Sequence, residues 1–304
     1  MRTLLQGQSP AIVAGCHDAL GGKLVESAGF DAAWLSGFAL SAALRCMPDA
    51  GLLTLTEVAS VARAVAAAVR IPLIVDGDTG FGGILNIRRA VQELEDAGVA
   101  ALSLEDNDGH KKNSFYDGVE RQLLAPRDMQ AKIRAAKAAQ RSSDFVVIAR
   151  TEALIAGQPV DEALDRAKAY RDAGADLLLI HSRQWSLLQR VADRWDGSAP
   201  LAVIPTQFMD TPRSQLVASG FRVVIYAHQA VLAAVLTMKK MLAALREESV
   251  VDDMRLSMST FEDVQQLVDV AAHLEFERRF LPVSNGGSLE VQSQRKSVSS
   301  FALK

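Results

Sequence analysis

The chain has 304 residues, 49% apolar and 23% charged, and a net charge of −3, the balance of a globular protein with a large core. No basic block points to nucleic acid or an anionic membrane, and no apolar run reaches the roughly 18 residues of a membrane span. The two cysteines, Cys16 and Cys46, make neither a disulfide framework nor a metal-ligand spacing, and the polar N-terminal ten residues do not read as a signal peptide, so the expected setting is cytoplasmic and reducing.

Short apolar runs alternate with longer amphipathic ones. Strands are expected at Ala11–Gly15, Ala32–Leu35, Ile71–Val75, Ala100–Leu104, Phe145–Ala149, Leu177–Ile180, Leu201–Ile204 and Arg222–Ile225. Helical patterns fall at Thr56–Val69, Ile84–Ala97, Pro126–Gln140, Asp161–Ala173 and Arg213–Ser219. Four phrases ending in Gly29, Gly98, Gly174 and Gly220 precede strands, each placing glycine where a helix ends. Such alternation means parallel pairing and a buried sheet, and eight units close most naturally into a (β/α)₈ barrel. An open doubly wound sheet would want a GxGxxG turn after its first strand; Gly15-Cys16-His17-Asp18-Ala19-Leu20 is not one. Two further helices, Val231–Glu247 and Thr260–Phe280, follow the eighth strand, one more than a barrel needs. The second is expected to pack on a neighbouring subunit or to cap the barrel. Residues 1–281 read as one domain and 282–304, rich in serine, glycine and charge, as a mobile tail.

The active site of such a barrel lies at the C-terminal ends of its strands. Strand three runs into Asp76-Gly77-Asp78-Thr79-Gly80-Phe81-Gly82. Asp76 and Asp78, two apart on extended backbone, point to one side and repel unless a cation or proton lies between them. Strand four ends in Glu105-Asp106 and opens a polar loop with Lys111, Lys112, Asn113 and Ser114. One acidic pair at a strand end is most simply a cap or a solvated turn, but two in successive units point to a site for a divalent cation with oxygen ligands, most simply magnesium. Strand five ends at Arg150 with Glu152 beyond it, strand six at His181, and Asp49 lies in the loop after strand two. An arginine directly after a buried strand is costly without an anion, and its planar fork suits carboxylate or phosphate. His181 beside the acids reads as functional. His17, His110, His228 and His273 have no partner spacing and read as structural or surface residues, and Trp34 serves equally as barrel filling.

The segment Asp76–Gly82 closely resembles the D-[AG]-D-T-G-[YF]-G signature of the phosphoenolpyruvate mutase/isocitrate lyase superfamily. The resemblance runs from about Ala14 to Pro282 and takes in Trp34-Leu35-Ser36-Gly37, Asp49, Leu104-Glu105-Asp106, Ile148 to Ala153, Ile180-His181-Ser182 and Ile204-Pro205-Thr206. It implies a (β/α)₈ barrel, Mg2+, α-oxo acid or enol substrates, and helix-swapped homodimers that often pair into homotetramers. The C–C lyases of the superfamily carry a cysteine in a K-[KR]-C-G-H loop after strand four; Lys111-Lys112-Asn113-Ser114 has none. The mutases carry E-D-K-x₅-N-S, and here Glu105-Asp106-Asn107 is followed by five residues and then Asn113-Ser114, with Asn107 departing from the lysine. Phosphonopyruvate hydrolases tend to have threonine where Asn113 stands. The resemblance therefore implies a phosphoenolpyruvate mutase, with a hydrolase, a decarboxylase or a carboxylate-binding barrel as alternatives. It places the metal at Asp76, Asp78 and Glu105. It puts the catalytic roles on Asp49, Lys111, Asn113, Arg150 and His181. Substrate contacts fall to Trp34, Ser36, Gly37, Phe38 and Ser114.

Overall fold

A computed structural model describes residues 1–109, 111–247 and 258–281, and every statement of number or absence below refers to them. Eight strands pair in parallel and in sequence order into a closed barrel. They are β1 (Ala11–Cys16), β2 (Ala32–Leu35), β3 (Leu73–Asp76), β4 (Ala101–Glu105), β5 (Val146–Thr151), β6 (Leu177–Ile180), β7 (Leu201–Val203) and β8 (Phe221–Tyr226). Every expected strand is present, displaced by at most two residues at either end. β1 pairs with β8 from Ala11↔Val223 to Ala14↔Tyr226, which closes the cylinder.

The helices around it are α1 (Arg2–Gln6), α2 (Ala19–Ser27), α3 (Gly37–Arg45), α4 (Leu55–Ala68), α5 (Ile84–Asp96), α6 (Pro126–Ala139), α7 (Val160–Asp172), α8 (Trp185–Arg194), α9 (Arg213–Ala218) and α10 (Gln229–Arg246). Thr54 and Glu57 form a reciprocal capping box that starts α4, and Pro126 opens α6 where its missing N–H costs nothing. Gly29, Gly98, Gly174 and Gly220 all adopt positive φ, between 81° and 102°, so the recurring helix-end phrase is the turn that feeds each strand.

Two apolar layers fill the structure. Inside the barrel, small residues such as Ala11, Ala32, Ala101 and Ala202 share space with Trp34, Ile74, Ile148 and Leu179. A larger layer between strands and helices includes Leu35, Ile87, Leu94, Leu102, Met129, Ile133, Tyr170 and Phe221. Met1, Leu4 and Leu5, flanking or within α1, pack against the inner layer. Arg2 ties α1 to Asp176 and the Phe145 carbonyl at 3.0 and 3.1 Å. The N-terminal end of the barrel is therefore plugged, and its other end is left for chemistry.

Residues 1–258 form one compact unit, and the helices after it belong to a second. The expected helix over 260–280 is two helices, α11 (Phe261–Leu267) and α12 (Val270–Phe280). They meet at Asp269, whose left-handed backbone (φ 53°) ends one helix and starts the next. The expected tail, 282–304, lies outside the described residues.

Candidate active site

The site is built by strand register. Glu105 on β4 stands opposite Arg150 on β5, and Thr151 stands opposite Ile180, one residue before His181. Asp76 closes β3 beside Ser103. These ends surround a small cavity lined by Trp34, Asp76, Arg150, His181 and the loop residues Asp49, Lys111, Asn113 and Ser114. Asp76 and Arg150 thus face one small space.

Asp78 comes to Asp76 by a route different from the extended one expected. β3 ends at Asp76, and Asp78 has a left-handed φ of 49°. The turn, rather than strand alternation, folds its carboxylate back toward the cavity. Between the acids sits the Lys111 ammonium, which contacts Asp78 and lies 3.2 Å from Asp49 Oδ1 and 3.7 Å from Asp76 Oδ2. Gly37, first residue of α3, presses on the same cluster. A Cβ there would lie 3.0 Å from Asp78 Oδ1 and 3.2 Å from Lys111 Nζ. The N–H groups of the first turn of α3 have no intrahelical acceptor, and Ser36 spends its hydroxyl as the α3 N-cap, accepting from the Ala39 N–H at 3.3 Å.

On the opposite wall, Glu152 organises the bases. It accepts from Arg150 Nε at 2.6 Å and from Ser114 Oγ at 2.7 Å, and lies 2.8 Å from His181 Nδ1. Arg150 Nη2 donates to Ser114 Oγ at 2.9 Å and approaches His181 Nδ1 at 2.9 Å. The β4 loop closes the top: Asn113 Nδ2 donates to Asp49 Oδ2 at 2.6 Å. Asn107, the departure from the lysine of the mutase pattern, donates to Glu105 Oε1 at 2.7 Å. Phe38 and Phe115 both stand edge-on to the His228 ring, 5.3 and 5.8 Å away.

The charges are strongly perturbed. Burial lifts Asp78 to about 8 and Glu105 to about 7, with neighbouring acids adding to the rise. Burial also opposes the Asp76 carboxylate, but Lys111 and Arg150 outweigh it and hold Asp76 below the usual range. Burial likewise opposes the Lys111 and Arg150 charges, and the surrounding acids overcome it and keep both protonated. Burial and Arg150 together lower His181, and burial with His181 pushes His228 down to about 4.

All thirteen residues expected at the site lie on or beside this cavity; Ser36 is held back as a helix cap. Two residues of this wall go beyond the sequence reading, which gives Glu152 no role of its own and takes His228 as structural or surface. Glu152 sits two residues beyond Arg150 on the same strand end, and His228 follows β8 in the place that His181 holds after β6. Asp106 turns away: fully buried, it accepts from Thr151 Oγ1 (2.7 Å), the Glu152 N–H (2.8 Å) and the Tyr170 hydroxyl (2.6 Å) and pairs with Arg166. It braces β5 from behind.

The donor set fits a hard dication. Five carboxylates (Asp49, Asp76, Asp78, Glu105, Glu152) face two cations, Lys111 and Arg150. Glu105 Oε2 is buried without a hydrogen-bond partner, an expensive state for a carboxylate oxygen. Among the described residues no three ligating side chains stand close enough to hold a metal ion as they are placed, and the Lys111 ammonium lies among the acids.

Residues 1–246 match the family model described as phosphoenolpyruvate phosphomutase. The chain belongs to the phosphoenolpyruvate phosphomutase family. Its relatives divide by activity. A phosphonopyruvate hydrolase of Variovorax sp. (strain Pal2) is 38% identical over 87% of this chain and 92% of its own length. A phosphoenolpyruvate phosphomutase of Streptomyces hygroscopicus is also 38% identical, over 82% of this chain and 80% of its own length. A solved phosphonopyruvate hydrolase structure, a complex with oxalate and Mg++, has a TM-score of 0.85 at 35% identity and spans 92% of this chain and 98% of its own. The family is thus one of enzymes acting on small acids, and equal identity to two activities leaves the choice between them to the site.

Proposed function

We propose that the protein is a magnesium-dependent phosphoenolpyruvate mutase, moving a phosphoryl group between the enol oxygen of phosphoenolpyruvate and carbon three of phosphonopyruvate. The observation that carries this reading is the closed β4 loop, which brings Asn113 to Asp49 at 2.6 Å across the top of the cavity. Intramolecular transfer needs a phosphoryl group shielded from water at the moment it changes partners. A lid that ends in asparagine, and has no cysteine to act as an acid, suits transfer over carbon–carbon cleavage.

Phosphoryl transfer passes through a loose, metaphosphate-like state, so positioning and charge do most of the work. Asp76, Asp78 and Glu105 would hold Mg2+, directly or through water, and the ion supplies charge to stabilise the enolate. The first N–H groups of α3, at Gly37 and Phe38, meet the substrate carboxylate. Arg150, held by Nε on Glu152 and by Nη2 on Ser114, presents its remaining N–H groups to the phosphoryl oxygens. His181, its Nδ1 2.8 Å from Glu152 Oε1 and 2.9 Å from Arg150 Nη2, turns Nε2 toward the same oxygens. Asp49 and Asn113 flank the moving phosphorus, and Trp34 and Ser114 bound the pocket. Exchange of the C-terminal helices between two copies, giving a dimer or tetramer, belongs to the same reading.

Phosphorus NMR of the protein with phosphonopyruvate and Mg2+ tests it. A growing phosphoenolpyruvate resonance is the expected result. Inorganic phosphate alone would make the protein a hydrolase, the activity of one of the two relatives at 38% identity.

A further inference from the structure

The lid must be held shut by something other than substrate, since among its described residues, 107–109 and 111–123, the backbone forms no helix and one bridge, Asn107↔Leu123. Carbonyls in such a segment need donors. Two guanidinium groups supply them. Arg121, on the returning arm of the lid, donates from Nη1 to the Lys112 carbonyl at 2.7 Å and from Nη2 to the Asn113 carbonyl at 2.7 Å and the Tyr116 carbonyl at 3.3 Å. Arg183, two residues past His181, donates from Nε to the Ser114 carbonyl at 2.6 Å, and its guanidinium lies 5.7 Å from the Phe115 ring centroid. Arg121 thus grips the peptides on both sides of Asn113, whose side chain meets Asp49. The arm that carries it is anchored in turn, with the Asp108 N–H on the Gln122 carbonyl and the Leu124 N–H on the Asp106 carbonyl, both at 2.8 Å. Arg121 does not line the cavity and reaches the chemistry only through the lid.

We propose that Arg121 is a positioning residue that locks the lid in its water-excluding form and so sets how the phosphoryl group is shared between transfer and hydrolysis. This rests on the mutase reading. In transfer, the P–C bond of phosphonopyruvate breaks and the enolate oxygen forms the new P–O bond. In the leak, the oxygen of a water molecule forms that bond instead. The electron pair of the P–C bond goes to carbon three, which takes up a proton, and pyruvate and inorganic phosphate leave.

The test compares the full chain with Arg121→Met and Arg121→Lys. Phosphorus NMR reads the ratio of phosphate to phosphoenolpyruvate formed from phosphonopyruvate and Mg2+, chymotrypsin reads access to Phe115 and Tyr116 in the presence of Mg2+ and oxalate, and thermal melting reads the fold. Losing two short bonds from a charged donor should raise the phosphate fraction and the cleavage rate each by about tenfold, with the melting midpoint nearly unchanged. Arg121→Lys, which keeps one charged donor, should fall between. A methionine variant with the parent's product ratio and protease resistance overturns the proposal even if phosphoenolpyruvate forms normally. So does one that merely melts earlier. If the parent chain makes only phosphate, the mutase reading fails, and unchanged protease access in the variant would then sink the lock as well.

Discussion

At the scale of single residues, the site works by making each charge costly except in one arrangement. His228 shows this with the clearest sign. Its ring is mostly enclosed by Phe38, Phe115 and Thr206, whose hydroxyl lies 3.1 Å from Nδ1. Burial first, then the nearby His181, push its pKa down to about 4, with the Arg150 charge adding to the fall against the opposing acids Asp76 and Asp49. A histidine lowered on folding binds fewer protons folded than unfolded between about 4 and about 6.5, so its contribution is complete above that window and is lost as pH falls through it. We expect on the order of 2 kcal/mol of pH-dependent stability from this ring. His228→Gln should flatten the fall in the unfolding free energy from urea titration between pH 7 and pH 4.5 by that amount. An unchanged slope would show that the ring accepts a proton without penalty. Its place was available in principle from its position after β8, but a histidine without a spaced partner carries no chemical signature until the barrel closes around it.

At the scale of elements, the strands were legible and the short helices less so. A buried parallel strand is a run of apolar residues ended by a polar one, and all eight announce themselves that way. The periodicity reading singles out neither α3 nor α8. α3 begins at Gly37, one residue after Ser36, and its Phe38-Ala39-Leu40 continues the apolar run of β2, so the change of period is hidden. That missed junction matters, because it sets the α3 N-terminus against the acids. Gly37→Ala tests it. A methyl group 3.0 Å from Asp78 Oδ1 and 3.2 Å from Lys111 Nζ makes that ion pair shift by a few tenths of an ångström, whereas alanine in place of glycine favours the helix itself by up to about 1 kcal/mol. Titration calorimetry should show weaker binding of Mg2+ with oxalate, by tenfold or more, at a melting midpoint no lower than the parent's. Normal affinity would mean that the helix end does not shape the ligand site.

At the scale of the whole molecule, the barrel gathers at one rim a surplus of acids that it pays for with Lys111. The sequence made the surplus visible, since Asp76 and Glu105 end successive strands and Asp78 follows two residues after the first. It could not show that a lysine 33 positions beyond Asp78 closes onto it, because only tertiary folding brings the loop across. Lys111 is buried and within ion-pair distance of three carboxylates, so Lys111→Met leaves those charges uncompensated, a loss typically costing about 3–5 kcal/mol. The acids can relieve it by taking up protons, and Asp78 and Glu105, lifted to about 8 and about 7 even beside the lysine, are ready to do so. The penalty should therefore be largest above pH 8 and shrink toward pH 6. In EDTA at pH 8.5 we expect Lys111→Met to melt several degrees below the parent. Mg2+ should recover most of that difference, because a dication among the same oxygens replaces the missing ammonium and binds only the folded chain. Equal melting of variant and parent in EDTA at high pH would show that the carboxylates do not repel one another, and the case for a dication among them would lose its physical basis.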